Sequence, residues 1–206
     1  MAKQLSVLIP TYNRAEFLFY ALESLTKQTF KDFKVIIYDD GSDDNTFDIV
    51  KGFLTKLEIH YFKNEKNNGV AYARNELMKL VDTPYFAWQD SDDVALPDRF
   101  ELQMNKIGDF DGCFTYAYFF KHPNKNNRKE YRIDVSKYSD RQSLVNNMLF
   151  ATGLFKADVT KTEFNKNLRK KEDVDWLTKL LKKKYIFTCV PSFLYYIRQH
   201  DGRLTK

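Results

Sequence analysis

What most constrains this chain is the regular exchange of short apolar runs with helically striped segments over its first 88 residues. "LSVLIP" (5–10) is continuous and apolar, which suits a strand covered on both faces. Across 15–28, Phe17, Leu18, Ala21, Leu22 and Leu25 recur at helical spacing. "FKVIIYDD" (33–40) is β-branched and strand-like, and "GSDD" after it offers a turn and a helix start. Phe47, Val50, Phe53, Leu54 and Leu57 then predict a second helical stripe. "LEIHYF" (57–62) alternates as a strand does, Val70, Ala73, Leu77 and Leu80 mark a third helix, and "PYFAW" (84–88) a fourth strand. Strand and helix exchanged at this pace predict βαβ units, hence an α/β fold with a Rossmann-like, mainly parallel central sheet and helices on both faces.

The second half is less regular. A helix is expected over 96–107, a long aromatic strand over 112–120, and an exposed basic loop or hairpin tip over 121–136. A short strand follows at 151–157, then an amphipathic helix at 172–183 with Val174, Leu177 and Leu181 on one stripe. The last apolar run, 186–198, is strand-rich, with Pro191 marking an edge or a bulge. No repeat or low-complexity linker divides the 206 residues, so one domain is expected, with 1–95 and 96–206 as its halves. Hydrophobic residues at 43% and charged residues at 30% exclude a disordered chain. Cys113 and Cys189 sit in apolar runs and read as buried, reduced thiols of a cytosolic protein. "MAKQLSVLIPTYNR" reaches a proline too soon for a secretory leader, and no apolar run is long enough to span a bilayer.

In sheets of this kind ligands bind beyond the carboxyl ends of the strands. Three polar clusters fall there: Thr11, Tyr12, Asn13 and Arg14 after the first strand; Asp39, Asp40 and "GSDD" after the second; Asp90, Ser91, Asp92 and Asp93 after the fourth. Folding should gather them on one edge. Carboxylates so close must stay hydrated or meet a cation, and a D-x-D on extended chain points two of them the same way, toward a hard ion such as Mg²⁺ or Mn²⁺. The alternative is an acidic turn capping the helix near Leu96. A carboxylate at 39 or 40 could accept from an imide N–H or a ribose hydroxyl; Asp43 and Asp44 are better explained as charges favoured at a helix N-terminus. Asn68, Gly69 and Arg74 around a helix start suggest an anion site, or an Arg facing solvent. Glu172, Asp173 and Asp175 fill a first helical turn, as the dipole alone would favour, or supply a general base. His200 follows a strand among polar residues, while His60 and His122 look incidental.

"SVLIPTYNR", "VIIYDDGSDDNT", "NNGVAYARN", "WQDSDDVALPDR", "KEDVDW" and "YYIRQHDG" occur in the order seen in family 2 glycosyltransferases of the GT-A fold, and the chain resembles that family from about residue 4 to 202. The resemblance implies a GT-A fold with a small antiparallel acceptor-side portion, residues 1–95 holding a nucleotide sugar and 96–206 the acceptor. It implies Thr11 and Tyr12 beside the base, with Asn13 and Arg14 in the same loop; Asp39 on the uracil imide with Asp40 next to it; and Asn68, Gly69 and Arg74 near base and phosphates. Asp90 and Ser91 would face ribose or sugar, Asp92 would be the preferred ligand of Mn²⁺ or Mg²⁺ with Asp93 competing, and His200 and Arg198 would approach the metal or diphosphate. Asp173 would be the base, with Glu172 and Trp176 on the acceptor side. The implied activity is an inverting, metal-dependent transfer from a UDP-sugar to a hydroxyl of a glycan, a lipid-linked sugar or another acceptor, in bacterial polysaccharide or glycoconjugate synthesis. It would take place in the cytoplasm or at the inner membrane face. The sequence departs from the family at "TKTEFNKNLRKK", which keeps only Phe164 of a Gly-Gly-Phe stretch, and at Arg203, where a small residue is usual.

Rival readings fit less well. A nicotinamide dehydrogenase or a sugar nucleotidyltransferase needs a Gly-rich turn after the first strand, and "IPTYNRAEF" has no glycine. A net charge of +5 and a pI near 9.0 favour anionic partners, yet the acidic clusters argue against a nucleic-acid module. An inactive nucleotide-sugar binder would share every motif. The basic, aromatic-flanked segment 118–132 suggests contact with anionic lipid or an acidic glycan, against a plain solvated hairpin.

Overall fold

The computed structural model describes residues 2–121, 124–132, 145 and 148–200. The N-terminal half alternates as the periodicity predicts: β1 (Leu5–Thr11), α1 (Ala15–Thr26), β2 (Phe33–Asp39), α2 (Thr46–Lys51), β3 (Ile59–Lys63), α3 (Val70–Lys79) and β4 (Tyr85–Trp88). Then come β5 (Val94–Ala95), α4 (Arg99–Ile107), β6 (Gly112–Lys121), β7 (Asn124–Tyr131), β8 (Leu154–Lys156), α5 (Glu172–Lys182) and β9 (Phe187–Gln199), with single 3₁₀ turns on either side of β8. Among the described residues nine strands form one sheet in the order β3-β2-β1-β4-β8-β6-β9-β5, with β7 on β6. β1 to β4 run parallel. β8 enters antiparallel to β4 and to β6, and β6 lies parallel to β9.

Alternation along β1 and β2 sends side chains to two cores. Leu5, Val7, Ile9, Val35 and Ile37 pack with Leu18, Leu22 and Val50 of α1 and α2 and with Phe100 of α4. Leu8, Ile36, Phe86 and Trp88 pack on the other face with Leu77 of α3 and with Trp176, Leu177 and Leu180 of α5. That second core is largely aromatic: Trp176 stacks on Phe164 at 4.9 Å and meets Phe155 edge-on at 5.3 Å.

Two expectations change. The second helix stops at Lys51 rather than running on to Leu57, and Phe47 (46% exposed) and Leu54 (50%) do not form a core stripe. The run ending at residue 198 is a single strand with an irregular register, Val190 pairing Thr115 and Phe193 pairing Tyr116, which is the bulge expected at Pro191. Both cysteines are free thiols, and burial pushes Cys113 up to about 12. Arg203 and His122 lie outside the described residues.

Candidate functional site

The loops after β1 and β2 are knitted together. The Asn13 N–H donates to Ser42 Oγ (2.8 Å), the Asp43 N–H to Asn13 Oδ1 (3.0 Å) and the Ala15 N–H to Asp44 Oδ2 (3.0 Å). Asn13 sits at φ 50°, a conformation Asn tolerates better than most residues. Tyr12 is left 43% exposed at this edge, while Thr11 and Ser91 are buried. Arg14 donates to the Asn13 carbonyl at 3.2 Å.

Asp39 and Asp40 are both sequestered. Asp39 accepts the Ser42 N–H (2.8 Å) and the Tyr61 hydroxyl. Asp40 Oδ2 accepts the N–H groups of Asn68 (2.9 Å) and Gly69 (2.7 Å). The expected anion site at the start of α3 is thus filled by the chain's own carboxylate, which exploits those exposed N–H groups and the helix dipole. Gly69, at φ 97°, gives the loop the backbone freedom to turn both amides onto it.

Arg74 is likewise neither solvent-facing nor open to a phosphate. It is 5% exposed, donates from Nη1 to Glu172 Oε1 (2.7 Å) and from Nη2 to Asp90 Oδ1 (3.3 Å), and lies 4.4 Å over the Phe150 ring. One guanidinium therefore ties the acidic loop after β4 to the first turn of α5. Glu172 is used in that bridge rather than on an acceptor. Trp176 is fully buried, its indole N–H donating to the Thr162 carbonyl at 2.5 Å, so it is core and not acceptor wall.

Asp173 stands apart from its neighbours. Glu172 pairs with Arg74 and Asp175 with Lys179 (2.8 Å), whereas Asp173 is half-buried and takes the Val174 N–H at 2.8 Å. Lys171, the residue that opens this helix two positions earlier, is held at φ 61°, local strain of the kind that clusters at working sites.

The acidic loop closes the arrangement. One oxygen from each of Asp90, Asp92 and Asp93 lies within 4.8 Å of the others, a donor set that suits a hard divalent cation. His200 Nε2 is 2.8 Å from Asp92 Oδ2, its ring against Phe17 at 4.6 Å. The Arg198 N–H donates to Asp93 Oδ1 and its Nε to the Asp92 carbonyl, both at 2.8 Å. Asp93 is 0% exposed and the Asp92 side chain 17%, so Asp92 is the more accessible carboxylate of the two.

Sequence reasoning missed the buried cation under this loop. Arg99 is 0% exposed; it donates to the carbonyls of Trp88 (2.8 Å) and Ala151 (3.2 Å) and to Gln89 Oε1 (3.2 Å), and lies 4.6 Å from the Tyr195 ring. Gln89 in turn donates to the carbonyls of Asp90 and Asp93, and the Asp90 N–H donates to Tyr195 Oη. Burial lowers Arg99 to about 10, which still leaves it charged at neutral pH, facing Asp90 and Asp93. The signal available was "LPDRFELQ", where Arg99 shares a helical face with Gln103 and Ile107.

Comparisons with known proteins agree with the fold. A sequence profile described as glycosyl transferase family 2 matches residues 6–165. An uncharacterized glycosyltransferase of Methanocaldococcus jannaschii is 30% identical across 98% of this chain and 73% of its own length. Three further curated relatives are spanned over only 21%, 28% and 65% of their lengths. In fold, the chain is similar to Staphylococcus aureus TarS 1–349 in complex with UDP-GlcNAc, with a TM-score of 0.80, 22% identity, and 97% of this chain and 60% of that one covered. It is also similar to mannosyltransferase PcManGT from Pyrobaculum calidifontis in complex with GDP-Man and Mn²⁺, with a TM-score of 0.76, 15% identity, and 98% and 59% covered.

Proposed function

Because the chain belongs to glycosyl transferase family 2, we propose that it moves a sugar from a nucleotide-sugar donor to a hydroxyl acceptor, with inversion and with a divalent ion. The observation that carries this is the Asp90–Arg74–Glu172 bridge, which ties the acidic loop to the α5 first turn, where Asp173 is the carboxylate outside an ion pair among the described residues. Two solved proteins of the same fold, one with UDP-GlcNAc and one with GDP-Man and Mn²⁺, support a nucleotide-sugar donor and a metal. A uridine donor rests on the resemblance. Tyr12, exposed at the rim, stacks on the base; Asp39 reaches an imide only by releasing Tyr61.

Asp173 accepts the proton of the attacking hydroxyl, its Oδ1 steadied by the Val174 amide. Asp90 meets ribose or sugar, held at its amide by Tyr195 and at its carboxylate by Arg74. Asp92, steadied by His200, is the leading ligand for Mn²⁺ or Mg²⁺, with Asp93 behind it. A bound divalent ion would offset the charge gathering on the departing nucleoside diphosphate. Arg198 acts here as a brace for the loop, its Nε–H held on the Asp92 carbonyl. The acceptor is a glycan, a lipid-linked sugar or another hydroxyl compound of the bacterial envelope. Work at the cytoplasmic face rests on the resemblance; among the described residues no helix is long and apolar enough to cross a membrane.

A thermal-shift panel of nucleotide sugars with and without Mn²⁺ tests the reading: one donor should raise the melting temperature only when metal is present. Asp173→Asn should keep that shift and lose transfer by at least about a hundredfold. A panel with no shift for any donor would sink the function, and full turnover by Asp173→Asn would sink its role as base. Asp92→Ala should lose the metal-dependent part of the shift, and an unchanged shift would move the ligand to Asp93.

A further inference from the structure

The sheet face that carries Arg198 continues away from the acidic loop as a strip of rings and guanidinium groups. Tyr118 stacks on Phe193 (4.4 Å, 15°) and on Tyr196 (5.1 Å, 26°), Tyr116 meets Phe193 at 5.4 Å, and Phe120 meets Tyr196 at 5.7 Å. β7 lays Arg128 4.2 Å from the Tyr118 ring, and Arg132, just past its end, is 5.3 Å from that of Phe193. Arg128 Nη1 also donates to the Tyr196 hydroxyl at 2.7 Å.

Register aligns these groups with the site. Phe120 lies opposite Arg198 and Tyr118 opposite Tyr196, while Arg128 lies opposite Phe120 across the hairpin. Tyr196 and Arg198, two residues apart on β9, share a face, and Arg198 is bonded to the Asp92 carbonyl. The strip therefore begins where the metal-binding loop ends.

Phe120 and Arg198 at the loop end are buried and Tyr116 rests against the second core, but the outer part of the strip is not core. Tyr116, Tyr118, Phe193 and Tyr196 are half-buried, and Arg128, Arg132 and Lys121 are exposed. A guanidinium lying against a ring keeps N–H groups for an anion and loses little freedom on binding one. Glu130 takes up part of Arg132 at 2.8 Å, but among the described residues Arg128 meets no carboxylate. Because the rings stack on one another, their apolar faces are covered, and phenol hydroxyls and cations remain to be met. That favours a hydrated polyanion over the interior of a lipid surface.

Resting on the transferase reading above, the geometry points to this strip as the track for an anionic glycan acceptor, a polyhydroxyl chain bearing phosphate or carboxylate groups. Arg128 and Arg132 take the anionic groups, and the tyrosine hydroxyls take the chain's own hydroxyls. The acceptor end then arrives beside Asp92 and Asp173.

The test is fluorescence polarisation of labelled poly(glycerol phosphate), polygalacturonate and neutral dextran with the full chain. Both polyanions should bind and dextran should not. Arg128→Ala/Arg132→Ala should weaken polyanion binding tenfold or more, whereas Lys27→Ala/Lys56→Ala, an equal charge loss at exposed positions away from the strip, should change it less than twofold. Tyr196→Phe, which removes one hydroxyl and the Arg128 hydrogen bond it accepts, should weaken it a few-fold. Equal losses in both double variants, no loss in the arginine variant, or binding confined to phosphatidylglycerol vesicles would each overturn the track. The donor thermal shift serves as an independent control, since it should survive in the arginine variant and so prove the fold intact. If no donor shifts the wild-type chain while the polyanion pattern holds, the transferase reading fails alone; if the donor shift holds and the pattern does not, the track fails alone.

Discussion

Arg99 holds the acidic loop from beneath, and its removal would strand several buried acceptors at once. The carbonyls of Trp88 and Ala151 and the amide of Gln89 would each lose a charged donor, with Asp93 buried above them. Arg99→Met should therefore lower the unfolding free energy by about 3–5 kcal/mol, read as a fall in the urea midpoint with an unchanged slope. A loss under 1 kcal/mol would show the network to be dispensable. The sequence could not reveal this charge as buried, since "PDRFELQ" places Arg99 on a helix face without saying which face turns inward. Trp176 was more legible than its expected acceptor role allowed. It stands four residues before Leu180, on the stripe that faces the core. Arg74 and Asp40 misled for another reason: each is the residue type a ligand needs, already used to satisfy the protein's own opposite charge or amides.

At the level of elements, the polar clusters could be foreseen because each follows a buried strand, and strands fix where their ends emerge. What escaped was local. β5 has two residues, too few to show a period, and α2 ends at a glycine inside an apolar stripe that promised a longer helix. The turn after β2 is tightly built: Gly41 has φ 85°, and a Cβ there would come within 2.9 Å of the Lys66 backbone. Gly41→Ala should cost about 1–3 kcal/mol from strain alone and loosen the loop that Asp40 fastens to α3. Thermal unfolding should show the loss and the donor panel a weakened shift; an unaltered melting temperature would mean that the turn relaxes freely.

For the molecule as a whole, the aromatic core crosses from one half to the other. Trp88 of β4 lies 6.4 Å from Trp176 of α5, and β8 joins β4 to β6. The N- and C-terminal halves therefore should not unfold separately. Tryptophan fluorescence, which reports that core, and far-UV circular dichroism should give coincident urea transitions, and two resolved transitions would contradict a single cooperative body. Asp93 grips β9 through the main-chain amide of residue 198, not through a side chain. Exchange of the amino acid at 198 leaves that grip intact, proline excepted. One residue inserted after the Pro191 bulge would instead present a neighbouring amide and carry His200 off Asp92. For the Asp93 contact it is spacing along this strand, rather than the identity of the side chain at 198, that counts.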